Sequence, residues 1–156
     1  RQMCIRDRDK LDHARSLGMD AAVNAAKGDA AEQIREISGG GVHVSLEALG
    51  IEQTVNASIR CLRPLGRHVQ VGMPVGHTAH MDVDMSAVYQ GNLALYGTRG
   101  MPAHRYPSLL GLITRDKVDL SPLIAREVPL SGASAELAAF NGPTPPGVAV
   151  ITDFQT

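Results

Sequence analysis

The chain has 156 residues, 44% of them apolar, with 15 Lys and Arg against 16 Asp and Glu for a formal charge of −1. That length suits one ordinary domain, the apolar content excludes a largely disordered chain, and the balanced charge gives no electrostatic basis for binding nucleic acid or an anionic membrane. No apolar run approaches the roughly 20 residues that cross a bilayer, and no signal peptide opens the chain. The two cysteines, Cys4 and Cys61, make neither a disulfide framework nor a metal-ligand spacing. A cytoplasmic protein of α/β type is the expectation.

Residues Arg1–Arg8 carry three arginines and no strand or helix period, and are expected to be an extraneous or disordered terminus. Leu11, Ala14, Arg15 and Leu17 then suit a short helix, with Asp9 near its start and Gly18 at its end. Ala21 to Ala25 reads as a short strand. Asp29 is placed to cap a helix with Ala30, Ile34 and Ile37 on one face, stopped by Gly39–Gly41. Val42 to Ala48 alternates as a strand does, and Leu49–Gly50 turns the chain. A helix is predicted over Glu52 to Leu62, with Val55, Ile59 and Leu62 at helical spacing, closed by Pro64 and Gly66.

Arg67 to Val71 is the next predicted strand, ended by Gly72, Pro74 and Gly76. Asp82 to Gln90 carries a weaker helical signal, and Leu93 to Tyr96 an apolar strand ended by Gly97. Pro107 suits the first turn of a helix with Leu109, Leu110, Leu112 and Ile113 as its apolar face. A short helix over Ala133 to Phe140, a turn at Pro143, Pro145 and Pro146, and a strand over Val148 to Ile151 complete the chain. Strands alternating with helices argue for βαβ units and a parallel sheet.

Two predicted strands run into a glycine, Gly50 and Gly72. Ligands of open parallel sheets lie beyond the carboxyl ends of the strands. Glycine there either makes a tight turn or lets backbone approach a flat ligand, and both readings stand at this point.

The runs Lys10-Leu11, Ala14, Leu17-Gly18, Gly39-Gly40-Gly41-Val42-His43-Val44-Ser45-Leu46-Glu47-Ala48-Leu49-Gly50, Leu62-Arg63-Pro64-Leu65-Gly66-Arg67-His68-Val69-Gln70-Val71-Gly72 and Leu95-Tyr96-Gly97-Thr98 share order and spacing with a known family. Together they resemble the cofactor half of zinc-dependent alcohol dehydrogenases of the medium-chain dehydrogenase/reductase superfamily, over about Asp9 to Ile151. The resemblance implies an incomplete Rossmann-type doubly wound sheet over residues 9–100 and, over 101–156, a C-terminal segment of the catalytic domain. It implies NAD or NADP as cofactor, with Ala48, Leu49 and Gly50 near its adenosine side. Val71, Gly72, Met73, Tyr96 and Gly97 would lie near the nicotinamide, all through main-chain atoms. For the parent enzyme it further implies a small alcohol or aldehyde substrate, a homo-oligomer and catalytic zinc.

Departures from the family pattern matter as much. The phosphate-holding Gly-x-Gly-x-x-Gly turn is absent, and Gly39–Gly41 lies between a helix and a strand, the reverse of the context required. The position that selects NAD or NADP falls within Arg1–Arg8. Catalytic zinc needs three protein ligands, and no candidate set stands out. His77 and His80 sit in a loop with Asp82 and Asp84 nearby, His43 and His68 lie within strands, and Cys61 reads as a small apolar residue. Ser45 lacks the setting of a nucleophile, and Met73, Met81 and Met85 are either gap fillers or pocket walls. No catalytic or metal-binding residue is therefore assigned. The expected chain is a fragment of an NAD(P)-linked alcohol dehydrogenase, inactive alone. The alternatives are a zinc-free quinone reductase of the same superfamily or a non-catalytic nucleotide-binding module.

The family sheet has strand order 3-2-1-4-5-6. Its first two strands are expected to be missing or ruined here, leaving an open edge on the fourth, and with it poor stability or self-association.

Overall fold

The computed structural model describes residues 2–5, 8–139 and 147–155. Their contacts divide the chain into two units, Arg1–Gly100 and Met101–Thr156.

In the first unit, β1 (Gln2–Ile5) and β2 (Ala21–Asn24) form a parallel pair joined by helix α1 (Arg8–Ser16). A strand over Gln2–Ile5 differs from the expectation of a terminus without structure. Four residues are too few to show a period, so this strand is defined by its ladder with β2, a long-range feature. Leu11 and Ala14 of α1 and Val23 of β2 are buried in this region. Helix α2 (Ala30–Ile37) starts where the Asp29 carboxylate accepts the N–H groups of Ala31 and Glu32, as the capping signal predicts.

A second sheet holds β3 (Val42–Glu47), β4 (Leu62–Gln70) and β5 (Ala94–Gly97), all parallel and in that spatial order. Helices α3 (Glu52–Arg60) and α4 (Met85–Gly91) make the two crossovers. Strand β4 starts five residues earlier than expected. Val42 pairs with Leu62 but Val44 with Arg67, so residues 63–66 bulge out of the ladder. Such a bulge tolerates the missing N–H of Pro64 and the positive φ of 63° at Leu65. Val55 and Ile59 of α3, Cys61 and Leu62 form the buried apolar cluster of this region.

Among the described residues no ladder joins the β1–β2 pair to β3, whose outer edge stays unpaired. The sheet is thus incomplete, as the resemblance implies. With β1 formed beside β2, however, one rather than two of the family's strands lacks a counterpart.

The second unit contains α5 (Tyr106–Ile113), β6 (Ile124–Pro129), α6 (Ala133–Ala139) and β7 (Val148–Asp153), with β6 and β7 parallel. Pro107 occupies the first turn of α5 as predicted. No sequence pattern predicts strand β6. Its Ile-Ala-Arg-Glu-Val-Pro run lacks a clean alternation, and its place is fixed by pairing with β7. The Arg126 guanidinium donates through two nitrogens to the Glu136 carboxylate, tying β6 to α6. The expected helix end at Phe140 and the turn at Pro143, Pro145 and Pro146 lie outside the described residues.

Candidate functional site

The carboxyl ends of β3, β4 and β5 lie side by side, because Glu47 pairs with Gln70 and Gln70 with Gly97. The first two strands then turn, and their turns interlock. The N–H groups of Val71 and Gly72 donate to the Glu47 carbonyl at 2.7 and 2.8 Å. A Cβ on Gly50, which has φ +77°, would come within 2.5 Å of the Met73 carbonyl oxygen. One on Gly72 would fall 2.5 Å from the Leu49 nitrogen and clash with Gly50. These glycines therefore serve both a turn and a close approach, and what they approach is each other's backbone.

The Glu47 side chain is 3% exposed and gathers the donors around it. Its Oε1 accepts from the Leu49 N–H at 2.7 Å and the Thr54 hydroxyl at 2.7 Å. The Gly50 N–H lies 3.0 and 2.9 Å from the two carboxylate oxygens, and the Gln70 amide donates to Oε2. Burial pushes the carboxyl pKa up, but the hydrogen bonds from Thr54, Gly50, Leu49 and Gln70 outweigh it and hold Glu47 below the usual glutamate value. Gln70 Nε2 also donates to the Gly72 carbonyl at 2.8 Å. Its Oε1 is left to accept from His68 Nε2 at 3.0 Å, which leaves His68 Nδ1 to accept from the Ser58 hydroxyl at 3.0 Å. The network itself assigns this tautomer. One continuous chain of hydrogen bonds thus runs from α3 through β4 to both turns.

The structure brings Ala48, Leu49 and Gly50 against Val71, Gly72 and Met73. It sets Tyr96 and Gly97 one strand further along the same sheet edge. Gly50 and Gly72 are buried, and the other six of these residues are exposed. Gly97 has open space where a Cβ would stand, so no packing demand explains its lack of a side chain. Beside the first turn, Ile51, Glu52, Gln53, His77, Thr78 and Met81 line a cavity of about 460 Å³. A larger open groove of about 900 Å³ runs along α2 between Lys27 and Glu36. It is lined by α2 rather than by the turns at the strand ends, and it mixes Lys27, Arg35 and Arg60 with Asp29, Glu32 and Glu36.

Among the described residues, no three His, Cys, Asp or Glu side chains converge as metal ligands. His43 lies 2.8 Å from Arg63, His68 belongs to the buried network, and Cys61 is buried with its thiol 3.2 Å from the Ser58 carbonyl. Ser45 is buried too, and its hydroxyl finds no hydrogen-bond partner among the described residues. Of Met73, Met81 and Met85, Met81 alone lines the smaller cavity, while Met73 and Met85 are exposed. Sequence reasoning missed Glu47 as the organiser of the turns, together with Thr54, His68, Gln70 and Ser58. Their signal in the sequence is weak, since the alternation of β3 sets Val42, Val44 and Leu46 on the apolar period and Glu47 on the polar one, and only the fold buries that polar period.

Residues 4–115 match the family described as zinc-binding dehydrogenase. The D-arabitol-phosphate dehydrogenase of Enterococcus avium is 28% identical over 127 residues, 81% of this chain and 36% of the relative. The alcohol dehydrogenase of Cupriavidus necator is 29% identical over 139 residues, again 36% of its length. Among solved structures, a zinc-binding dehydrogenase from Sinorhizobium meliloti 1021 bound to NADP superposes with a TM-score of 0.83 at 23% identity. That superposition covers 97% of this chain and 44% of the other. The chain therefore spans well under half the length of these relatives.

Proposed function

The chain belongs to the zinc-binding dehydrogenase family, and from that premise we propose that its three strand ends form the backbone side of a nicotinamide dinucleotide site in an alcohol or polyol dehydrogenase. The observation that carries this reading is the alignment of the Leu49–Gly50 and Gly72–Met73 turns with the Tyr96–Gly97 end of β5 along one sheet edge. Carboxyl ends of parallel strands are where such ligands bind. Residues 48–50 would hold the adenosine side, and residues 71–73 with Tyr96 and Gly97 the nicotinamide side, through main-chain atoms. The exposed, unfilled backbone at Gly97 fits a flat ring lying against it. When bound, the dinucleotide supplies the hydride acceptor or donor that interconverts an alcohol and its carbonyl compound.

In this reading residues 1–100 are part of the dinucleotide-binding domain, and residues 101–156 belong to the catalytic domain. Zinc does not fit the described residues, because His43, His68 and Cys61 are each engaged elsewhere and no three ligands converge. Among the described residues, this reading assigns cofactor positioning and no bond-making side chain.

Saturation-transfer NMR of this chain with millimolar NAD⁺ and NADP⁺ tests the proposal. Without a Gly-x-Gly-x-x-Gly turn to hold the phosphates, affinity is expected at a Kd of about 1 mM, roughly 4 kcal/mol. Transfer to nicotinamide and adenine protons is expected, with the nicotinamide signal lost in Gly97→Val. Failure of both dinucleotides to receive saturation would overturn it.

A further inference from the structure

We infer that Glu47 is a positioning residue, whose carboxylate sets the separation of the Leu49–Gly50 and Gly72–Met73 turns and so shapes the main-chain surface offered to the dinucleotide. The inference rests on the proposed function and deepens it. Backbone packing alone brings the turns into contact, as the two glycines show. It does not fix the orientation of the Leu49 and Gly50 amides. Glu47 does, by accepting both N–H groups while receiving the Gln70 amide, whose other hydrogen goes to the Gly72 carbonyl. Both turns are thus tied to one carboxylate through a single intervening side chain.

The rest of the network leaves Gln70 no freedom to turn over. Reversing its amide would set Oε1 against the Glu47 carboxylate and the Gly72 carbonyl, acceptor against acceptor, and Nε2 against the His68 Nε2–H. Thr54, in the first turns of α3, adds a fourth donor and links the start of that helix to the same group. A carboxylate with four donors on two oxygens is close to fully satisfied. That explains how a charged side chain stays buried on a strand whose Leu46 is 69% exposed. Mere structural filling would need neither the charge nor the reach to both turns.

Glu47→Gln separates these roles, because it preserves shape and introduces an N–H where a donor must be accepted. Hydrogen exchange followed by mass spectrometry, corrected for intrinsic rates, needs no ligand. Exchange at residues 48–50 and 71–73 is expected to rise about tenfold in Glu47→Gln, with residues 21–37 changing less than about twofold. In the wild type the same segment should lose protection as the pH falls below the usual glutamate range, and in Glu47→Gln that onset should vanish. Thr54→Val removes one donor and leaves the carboxylate, so a smaller rise of about threefold is expected there. It serves as the deciding variant if Glu47→Gln does not fold. Saturation transfer from Glu47→Gln to NAD⁺ is expected to fall to less than half the wild-type signal.

Unchanged exchange at the turns, a rise shared equally by residues 21–37, or full NAD⁺ contact in a variant with loosened turns would each overturn the inference. Wild-type protein that shows no NAD⁺ contact would instead overturn the proposed function. The exchange data would still report whether Glu47 couples the two turns.

Discussion

The two units of the chain are held together by different physics. Residues 1–100 contain every buried apolar side chain among the described residues, from Leu11 and Val23 to Ile59 and Leu62. Residues 101–156 contain none, and Leu110, Leu112, Leu137 and Val148 are between 46% and 68% exposed. What orders that second unit is the β6–β7 ladder and the Arg126–Glu136 ion pair. Burial of apolar area is the dominant favourable term in folding, while ladders and exposed ion pairs contribute little net. The first unit therefore has the makings of a folding unit, and the second has regular structure without a core among its described residues. The ends of β3, β4 and β5 lie in the first unit, beside its buried cluster.

The largest effect that separates the two units is expected at Ile59, which is 1% exposed in the cluster under β3 and β4. Ile59→Ala should cost about 3 kcal/mol. Urea unfolding followed by circular dichroism measures that loss, and hydrogen exchange locates it. Protection should drop across residues 21–70 while the β6–β7 ladder keeps its wild-type rate. An equal drop in both units would show that they unfold as one, and the contrast would fail.

Acid and salt sharpen the comparison in a second way, because each unit has a carboxylate held below its usual pKa by different means. Glu47 is held there against its burial by hydrogen bonds from Thr54, Gly50, Leu49 and Gln70, and Glu136 by the hydrogen bond from Arg126. A folded-state pKa below the unfolded value means that the stabilisation is present above about pH 4.3 and lost as the pH falls through the lowered value. Both units should therefore loosen on acidification below about pH 4. Salt should divide them. The partly exposed Arg126–Glu136 pair is screened at 1 M, where the Debye length is about 3 Å, and the buried Glu47 network is not. Exchange measured at neutral pH with and without 1 M NaCl checks this, with faster exchange expected around β6 and α6 alone.

Much of this division is legible in the sequence. The capping signal at Asp29, the apolar spacing of Val55 and Ile59 and the glycines after β3 and β4 are local patterns, and local patterns specify local geometry. The elements that escaped, β1 and β6, are short strands defined by partners far along the chain, and no window of four to six residues contains that information. The site divides in the same way. Gly50 and Gly72 announce themselves, since few residues other than glycine fit such turns. Glu47, Gln70, His68 and Ser58 read as an unremarkable scatter of polar residues, because only the parallel register of β3 and β4 joins them. A buried acid two residues before a strand-end turn is nevertheless a pattern that physics singles out, since its charge must be answered by donors close by.

The smallest expected effect tests the coreless half of the comparison most directly. Leu137 of α6 is a large apolar side chain, 68% exposed, and it belongs to a helix whose tie to β6 runs through Glu136 instead. Truncation of a side chain that buries so little removes little transfer free energy and leaves no cavity. Leu137→Ala should therefore change stability by less than about 0.5 kcal/mol in urea unfolding. Alanine's higher helix propensity offsets part even of that. A loss of about 2 kcal/mol or more, the size of a core truncation, would mean that Leu137 is covered in solution. The second unit would then have a core of its own, and the two halves of the chain would be held together by the same forces after all.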